Sequence, residues 1–309
     1  MLTTLHRHRY AFALTGAAAS WGLATVVAKS ALEEIPPVAL LPVQLFASAL
    51  LVTPFLLARH RQEPRTKNLG RLTALGVLNP GISYALGLIG LTYITASEAV
   101  LLWATEPMMI MALAAVMLSE HVTKTQVLAA GAATFGVVLV VMAPDRINQP
   151  IGTTLTLVAV AACALYTIYS RKWAVDESSG RVVALQQIAA LVFAVGVFGV
   201  VRMTPNTIGL ADISLRSWAG AALSGCLYYG VAFWLYLTGL QHTPASVAGQ
   251  YINLIPIFGI AASSALLGEQ LNRRQWVGAL VIVLSVMVAA RSISNRSREA
   301  LDHTAPTTG

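Results

Sequence analysis

Long apolar stretches separated by short polar connectors run along the chain. There are ten such stretches, and each approaches the roughly 20 residues that a helix needs to cross the core of a bilayer. They cover residues 10–30, 38–58, 70–91, 97–118, 124–143, 150–171, 181–202, 215–239, 245–267 and 275–291. The pattern predicts an all-α integral membrane protein with ten transmembrane helices. The polar segment 292–309 is predicted to be a disordered tail.

The composition supports the same class. Of the 309 residues, 56% are hydrophobic and only 11% are charged, whereas a soluble domain has about 25% charged residues. The net charge of +7 does not indicate nucleic-acid binding, because the basic residues cluster at the ends of apolar stretches. Cys163 and Cys226 both lie in apolar stretches, which favours buried thiols over a disulfide or a metal site.

The basic residues are divided unequally between the two sets of connectors. If the N-terminus is cytoplasmic, 14 of the 20 Lys and Arg residues lie on the inner side and 6 on the outer side. Cytoplasmic loops of membrane proteins are enriched in these residues. The bias therefore predicts that both termini, including the tail, are cytoplasmic, in a bacterial-type inner (plasma) membrane.

The second half of the chain repeats polar positions of the first half. The matched positions share a spacing of 149 residues and pair Ala96–Ala99 with Ala245–Ala248, Pro107 with Pro256, Glu120 with Glu269, and Gln126 with Gln275. Nearer the start of each half the spacing is 143, as between Gln44 and Gln187. We therefore predict two repeats, 10–143 and 150–291. Each repeat holds five helices, an odd number, so the second is inverted in the membrane, which is typical of secondary transporters.

The ends of the two halves resemble the EamA-type branch of the drug/metabolite transporter superfamily. The resemblance rests on Pro107 to Glu120 with Gln126, and on Pro256 to Glu269 with Gln275. It implies a ten-helix carrier with a central cavity, and members of that family include exporters of amino acids and related metabolites. The second helix of such proteins often carries an arginine where this chain has Gln44.

Glu106 is the strongest candidate for a site residue. A carboxylate inside an apolar stretch costs at least about 2.5 kcal/mol on insertion scales, and such acids are usually functional. Trp103, Glu106, Pro107 and Ile110 share one helix face by their spacing of three and four, and that face could line a cavity. The buried carboxylate could bind a proton or the ammonium group of an amino acid. The alternative is a structural acid bonded to a neighbouring helix.

Aromatic and amide side chains inside the apolar stretches form a second group of candidates. The aromatic candidates are Trp21, Tyr84, Trp103 and Tyr229, whose rings could hold aromatic or cationic substrates or simply pack in the core. The amide candidates are Gln44, Gln187, Gln250 and Asn253. Gln44 and Gln187 could equally hydrogen-bond between helices, whereas Gln250 and Asn253 could face the substrate from the helix opposite Glu106.

Three other glutamates are interpreted as structural. Glu98 lies at the outer start of a predicted helix, where the helix dipole favours an acid; the alternative is an extracellular gate. Glu120 and Glu269 are repeated at helix ends, and we expect them to cap helices or to pair with Lys124 and Arg273 across a turn.

These features favour a secondary transporter that exports small metabolites such as amino acids by alternating access. A channel-like facilitator and an importer are the alternatives. The sequence contains no nucleophile–base set, metal-ligand cluster or phosphate loop, so neither an enzyme nor a cofactor is predicted. The predicted partners are a small-molecule substrate, the lipid bilayer and a coupling proton at Glu106, and nucleic acid is not among them.

Overall fold

The computed structural model describes residues 2–59, 69–117, 119, 123–141, 150–173, 179–203, 210, 212–240 and 251–304. All regular structure within these residues is helical. Six helices are long and apolar enough to cross a membrane: Arg9–Ala31, Gly70–Tyr93, Ala96–Met117, Pro150–Ser170, Val183–Arg202 and Leu215–Tyr236. Three apolar helices are shorter: Pro37–Val52, Lys124–Val140 and Ile255–Leu267. The predicted class, an all-α multi-pass membrane protein, is confirmed.

The helical elements follow the predicted apolar stretches. In chain order they are α1 (Leu2–Ala31), α2 (Pro37–Arg59), α3 (Leu69–Gly76), π1 (Val77–Ile82), α4 (Ser83–Tyr93), α5 (Ala96–Trp103), α6 (Glu106–Met117), α7 (Lys124–Val141), α8 (Pro150–Trp173), α9 (Ser179–Arg202), α10 (Leu215–Gly225), π2 (Cys226–Val231), α11 (Ala232–Leu240), α12 (Ile255–Leu267) and α13 (Arg273–Thr304). Helix α13 continues beyond residue 291 into the segment for which we predicted disorder, where Arg298, Glu299 and Ala300 favour a helix.

Helices of the first half pack against helices of the second half. Helix α3 packs on α9, and α10 packs on α2. In the same way α4 and α6 pack on α8, while α11 and α12 pack on α1. Helices α7 and α13 pack on each other. Each contact therefore has a counterpart in which the two halves exchange roles, and the core lies between the halves.

The chain leaves regular α-helical geometry at two related places. The π-helical turns π1 and π2 begin 149 residues apart, the spacing found in the sequence. Gly76 and Gly225 immediately precede them, and a Cβ on either glycine would overlap the backbone of Gln186 or Gln44, respectively. Gln186 and Gln44 therefore occupy related positions, because each packs against one of the two related glycines. The sequence spacing of 143 paired Gln44 with the next residue, Gln187. Only glycine lets the backbones approach this closely.

Polar caps join the halves at helix ends. Helix α12 ends at Leu267, and the next residue, Gly268, has a φ of 65° that turns the chain before Glu269. The Glu269 carboxylate accepts hydrogen bonds from the Ala96 and Ser97 amides, each at 3.0 Å, and from the Ser97 hydroxyl at 2.9 Å, and it also bonds the Ser263 hydroxyl. It therefore caps the amino end of α5. The predicted capping role is confirmed for Glu269, although the capped helix belongs to the other half; Glu120 lies outside the described residues.

Glu98 and Glu34 make two further caps. Glu98 forms a capping box with Thr95 at the start of α5, as predicted for an acid at a helix amino end. In the connector between α1 and α2, Glu34 accepts hydrogen bonds from the Ser214 amide at 2.6 Å and the Ser214 hydroxyl at 3.0 Å, at the start of α10. The hydrogen bond from the Ser214 amide is the main reason that the pKa of Glu34 lies below its ordinary value, and the bond from the Ser214 hydroxyl lowers it further.

Replacing Gly225 with alanine is expected to destabilise the protein, because the added Cβ would overlap the Gln44 backbone. Overpacking of a tight contact costs about 1–3 kcal/mol. Thermal unfolding in detergent should therefore shift to lower temperature. The matched control is Gly196→Ala in α9, where a Cβ meets no atom within 4 Å, so its midpoint should stay the same or rise slightly. Equal midpoints for the two variants would contradict the close approach.

The cap on α5 should make stability depend on pH. Burial raises the pKa of Glu269, but hydrogen bonds from Ser263, Ser97 and Ala96 outweigh it, so the pKa lies below its ordinary value. Its stabilising contribution is therefore present above the unfolded-state pKa of about 4.3 and is lost as the pH falls through the lower folded-state pKa.

Replacing Glu269 with glutamine should lower the unfolding midpoint at neutral pH and reduce its fall on acidification to about pH 3. Thermal unfolding in detergent across that range measures both effects. Glu33→Gln is the control, because the Glu33 side chain is exposed in the connector before α2 and should leave the pH profile unchanged. A Glu269→Gln profile that parallels the wild-type profile would argue against the cap.

Candidate functional site

A cavity of about 420 Å³ lies between the two halves of the protein. Its volume falls in the lower part of the 300–1,000 Å³ range that is typical of small-molecule sites. Helices α1, α4, α5, α6, α8 and α11, both π-helical turns and the chain before α12 all contribute to its wall. Five of the nine site residues proposed from the sequence line it: Trp21, Tyr84, Trp103, Glu106 and Asn253.

Two helix breaks bring the backbone to the cavity. Helix α5 ends at Trp103 and α6 begins at Glu106, while α12 begins at Ile255 after a turn that contains Asn253. The starts of α6 and α12 are 149 residues apart and are therefore related positions in the two halves. Broken helices of this kind expose helix ends to a cavity and are the places where many transporters bind substrates and ions.

Glu106 supplies the negative charge of the cavity. It is the first residue of α6, where the helix dipole stabilises a carboxylate. Its Oε1 accepts a hydrogen bond from the Cys163 thiol at 3.3 Å. No lysine, arginine or histidine is found among the described residues that line the cavity. The arrangement is therefore suited to a proton or a cationic group.

Seven aromatic side chains contribute to the described wall of the cavity. The Tyr84 and Trp103 rings stack with centroids 5.4 Å apart, and Trp21 meets Phe233 edge-on at 5.5 Å. The Trp21 indole donates a hydrogen bond to the Tyr228 carbonyl at 3.2 Å, which fixes the ring. Such faces can hold apolar side chains and can attract cations.

Two buried amides of the wall have polar atoms without a partner. Asn79 in π1 and Asn253 before α12 are each only 7% exposed. In the described structure, Oδ1 of Asn79 and Nδ2 of Asn253 make no hydrogen bond. An unpaired polar atom in a buried position costs about 1–3 kcal/mol, and both of these amides belong to residues of the cavity wall.

The structure places three predicted site residues behind the wall. Gln44 donates a hydrogen bond to the Ser224 hydroxyl at 2.8 Å, and Gln187 donates one to the Tyr229 carbonyl at 2.9 Å. Both amides thus join helices, the second role considered for them. Tyr229 is 1% exposed and packs behind Tyr84, with ring centroids 5.0 Å apart. Gln250 lies outside the described residues.

The sequence reasoning did not select several residues of the wall. They include Thr25, Asn79, Phe233, Tyr236 and Cys163, which was interpreted only as a buried thiol. The spacing of 149 offered a signal for two of them, because it pairs Asn79 with Tyr228 and Tyr84 with Phe233. Asn79 carried a second signal as a polar residue beside Pro80 within an apolar stretch.

Comparisons with known proteins agree with this architecture. The model of the EamA-like transporter family matches residues 8–142 and again residues 150–291. An uncharacterised transporter of Archaeoglobus fulgidus is 23% identical over 271 residues, covering 88% of this chain and 95% of that protein. A probable terminal-alkyne amino-acid exporter of Streptantibioticus cattleyicolor is 25% identical over 241 residues, covering 77% and 79%.

Solved structures support the fold. One crystal structure superposes with a TM-score of 0.62 at 18% sequence identity, covering 91% of this chain and 97% of the other. The two family matches together span nearly the whole chain, and their boundaries agree with the two halves that pack around the cavity. The chain therefore belongs to the EamA-like transporter family.

Proposed function

We propose that the protein is a secondary transporter of the inner (plasma) membrane that exports small metabolites such as amino acids. The observation that carries the proposal is Glu106, a carboxylate at a helix break in a cavity between the two halves, with no basic residue among the described wall residues. An ammonium group can pair with this carboxylate while the aromatic wall holds an apolar side chain. The amino-acid exporter among the relatives supports the same class of substrate.

The proposed scaffold has ten transmembrane helices in two inverted five-helix repeats, 10–143 and 150–291, with both termini cytoplasmic. Three structural features with one spacing of 149 residues support the repeat: the two π-helical turns, the starts of α6 and α12, and the left-handed residues Ser119 and Gly268. The reciprocal packing of the halves supports an axis between them, and the cavity lies where the halves meet.

The proposed mechanism is alternating access, in which the halves rock around the cavity and open it to one side at a time. In the predicted orientation, Ser97 and Glu269 lie on the outer side of the membrane. Their hydrogen bonds link α5 to the end of α12, and in the proposed mechanism they belong to a conformation that is closed on the outer side. Release of substrate to the outside would require that these bonds break.

Replacing Glu106 with glutamine should reduce transport about tenfold or more, the loss expected when a charge-assisted hydrogen bond is removed. The assay is uptake of a labelled amino-acid panel into proteoliposomes, with and without internal unlabelled substrate and with and without a pH gradient. Internal substrate should stimulate uptake by wild-type protein, and the stimulation should be lost in the variant. Glu33→Gln, a matched change at an exposed carboxylate, should transport like wild type.

The same assay separates the alternatives. Uptake that never responds to internal substrate would favour a channel-like facilitator. Sensitivity to the pH gradient that disappears in Glu106→Gln would support proton coupling at this carboxylate. A variant that transports like wild type under every gradient would assign Glu106 a structural role and would contradict the proposal.

Cys163 should report on occupancy of the cavity, because its thiol lies in the wall beside Glu106. A Cys226→Ser background leaves Cys163 as the sole cysteine of the chain. A transported substrate at saturating concentration should slow modification of Cys163 by N-ethylmaleimide several-fold, measured by mass spectrometry. Adding Glu106→Gln to this background should remove the protection. Equal modification rates with and without a transported substrate would place the substrate elsewhere.

A further inference from the structure

We infer that the amino end of α12, together with Asn253, is a subsite for the carboxylate of a zwitterionic substrate whose ammonium group pairs with Glu106. This inference rests on the proposed transport function and specifies its substrate. It requires a donor that faces the cavity, a helix end that attracts an anion, and an arrangement in which the two charged groups of the substrate find different partners.

Asn253 provides the donor. Its side chain lines the cavity and is 93% buried, since only 7% of its surface is exposed. Its Nδ2 has no hydrogen-bond partner in the described structure. A carboxylate oxygen placed in the cavity against this amide would satisfy the N–H group, whereas an aliphatic amine would leave it without an acceptor.

The amino end of α12 provides the positive end of a helix dipole. The helix starts at Ile255, and Leu254, in the capping position, makes no side-chain hydrogen bond to it. In the first turn Pro256 has no N–H group and the Phe258 N–H donates to the Leu254 carbonyl, which leaves the N–H groups of Ile255 and Ile257 as the ones that can attract an anion. The amino end of α6, the related position in the other half, already carries an acid in Glu106. A substrate carboxylate would supply the corresponding charge at α12.

The two halves contribute opposite chemistry at related positions. Glu106 corresponds to Ile255, and Asn253 corresponds to Ala104, each pair being 149 residues apart. The Glu106 carboxylate and the unpaired Oδ1 of Asn79 come from the first half, and the unpaired Nδ2 of Asn253 comes from the second half. In the proposed complex, the ammonium group of the substrate faces the first half and its carboxylate faces the second.

Phenylalanine and 2-phenylethylamine test the inference, because they share a side chain and an amine and differ only in the carboxylate. Binding of each compound to purified protein is followed by tryptophan fluorescence, since Trp21 and Trp103 lie in the wall, and by counterflow in proteoliposomes. Asn253→Leu removes the donor at similar size, and Asn253→Asp places a negative charge at the subsite. Asn79→Leu is the matched control at an amide of the same cavity.

Asn253→Leu should weaken phenylalanine binding about tenfold, the loss of one hydrogen bond to a charged group, and should leave 2-phenylethylamine binding unchanged. Asn253→Asp should weaken phenylalanine binding further and should still bind 2-phenylethylamine. Asn79→Leu should weaken both compounds to a similar extent, because it acts on the ammonium group that they share.

An unchanged ratio of the two affinities in both Asn253 variants would overturn the subsite even if transport persists. Loss of both compounds in both variants would also overturn it, by assigning Asn253 a structural role. Wild-type protein that binds the pair but shows no counterflow would refute the transport function alone, because the affinity ratio still decides the subsite. Wild-type protein that binds neither compound would overturn the subsite as a site for an aromatic zwitterion, while the amino-acid panel in proteoliposomes still decides the transport function.

Discussion

A bilayer offers no water to backbone groups that leave a regular helix, so every interruption of a membrane helix must be satisfied by the protein itself. In this protein the partners often come from the opposite half. Glu269 caps α5, and the backbones of Gln44 and Gln186 fill the space left by Gly225 and Gly76. The interruptions that would weaken a single helix are thus the contacts that hold the two halves together.

The same interruptions produce the cavity. Where α5 gives way to α6, and where α12 begins, the chain presents helix ends rather than apolar side chains to the space between the halves. One break carries the carboxylate of Glu106 and the other carries the free amide of Asn253. A scaffold with related halves thereby encloses a site with unrelated polar groups, and such a site can distinguish the two ends of a substrate.

Polar contacts between the halves are well suited to a protein that changes conformation. The bonds from Ala96 and Ser97 to Glu269 involve a few atoms at helix ends, and water can replace them when that end of the protein opens. The tightly packed glycine contacts at Gly76 and Gly225 are different, because they bury backbone against backbone. In the proposed alternating-access mechanism, the π-helical turns are the fixed contacts and the caps are the contacts that open and close.

The sequence by itself determined the membrane class, the positions of the apolar helices, the repeated spacing of 149 residues and the presence of one carboxyl group, Glu106, in the middle of an apolar stretch. Each of these depends on local hydrophobicity or on a comparison along the chain. Only the tertiary structure decided which polar residues face the cavity. It placed Asn253 in the wall and gave Gln44 and Gln187 partners on other helices. Buried amides look alike in the sequence in either role, and what separates them is whether helix packing places them in the cavity wall or between two helices.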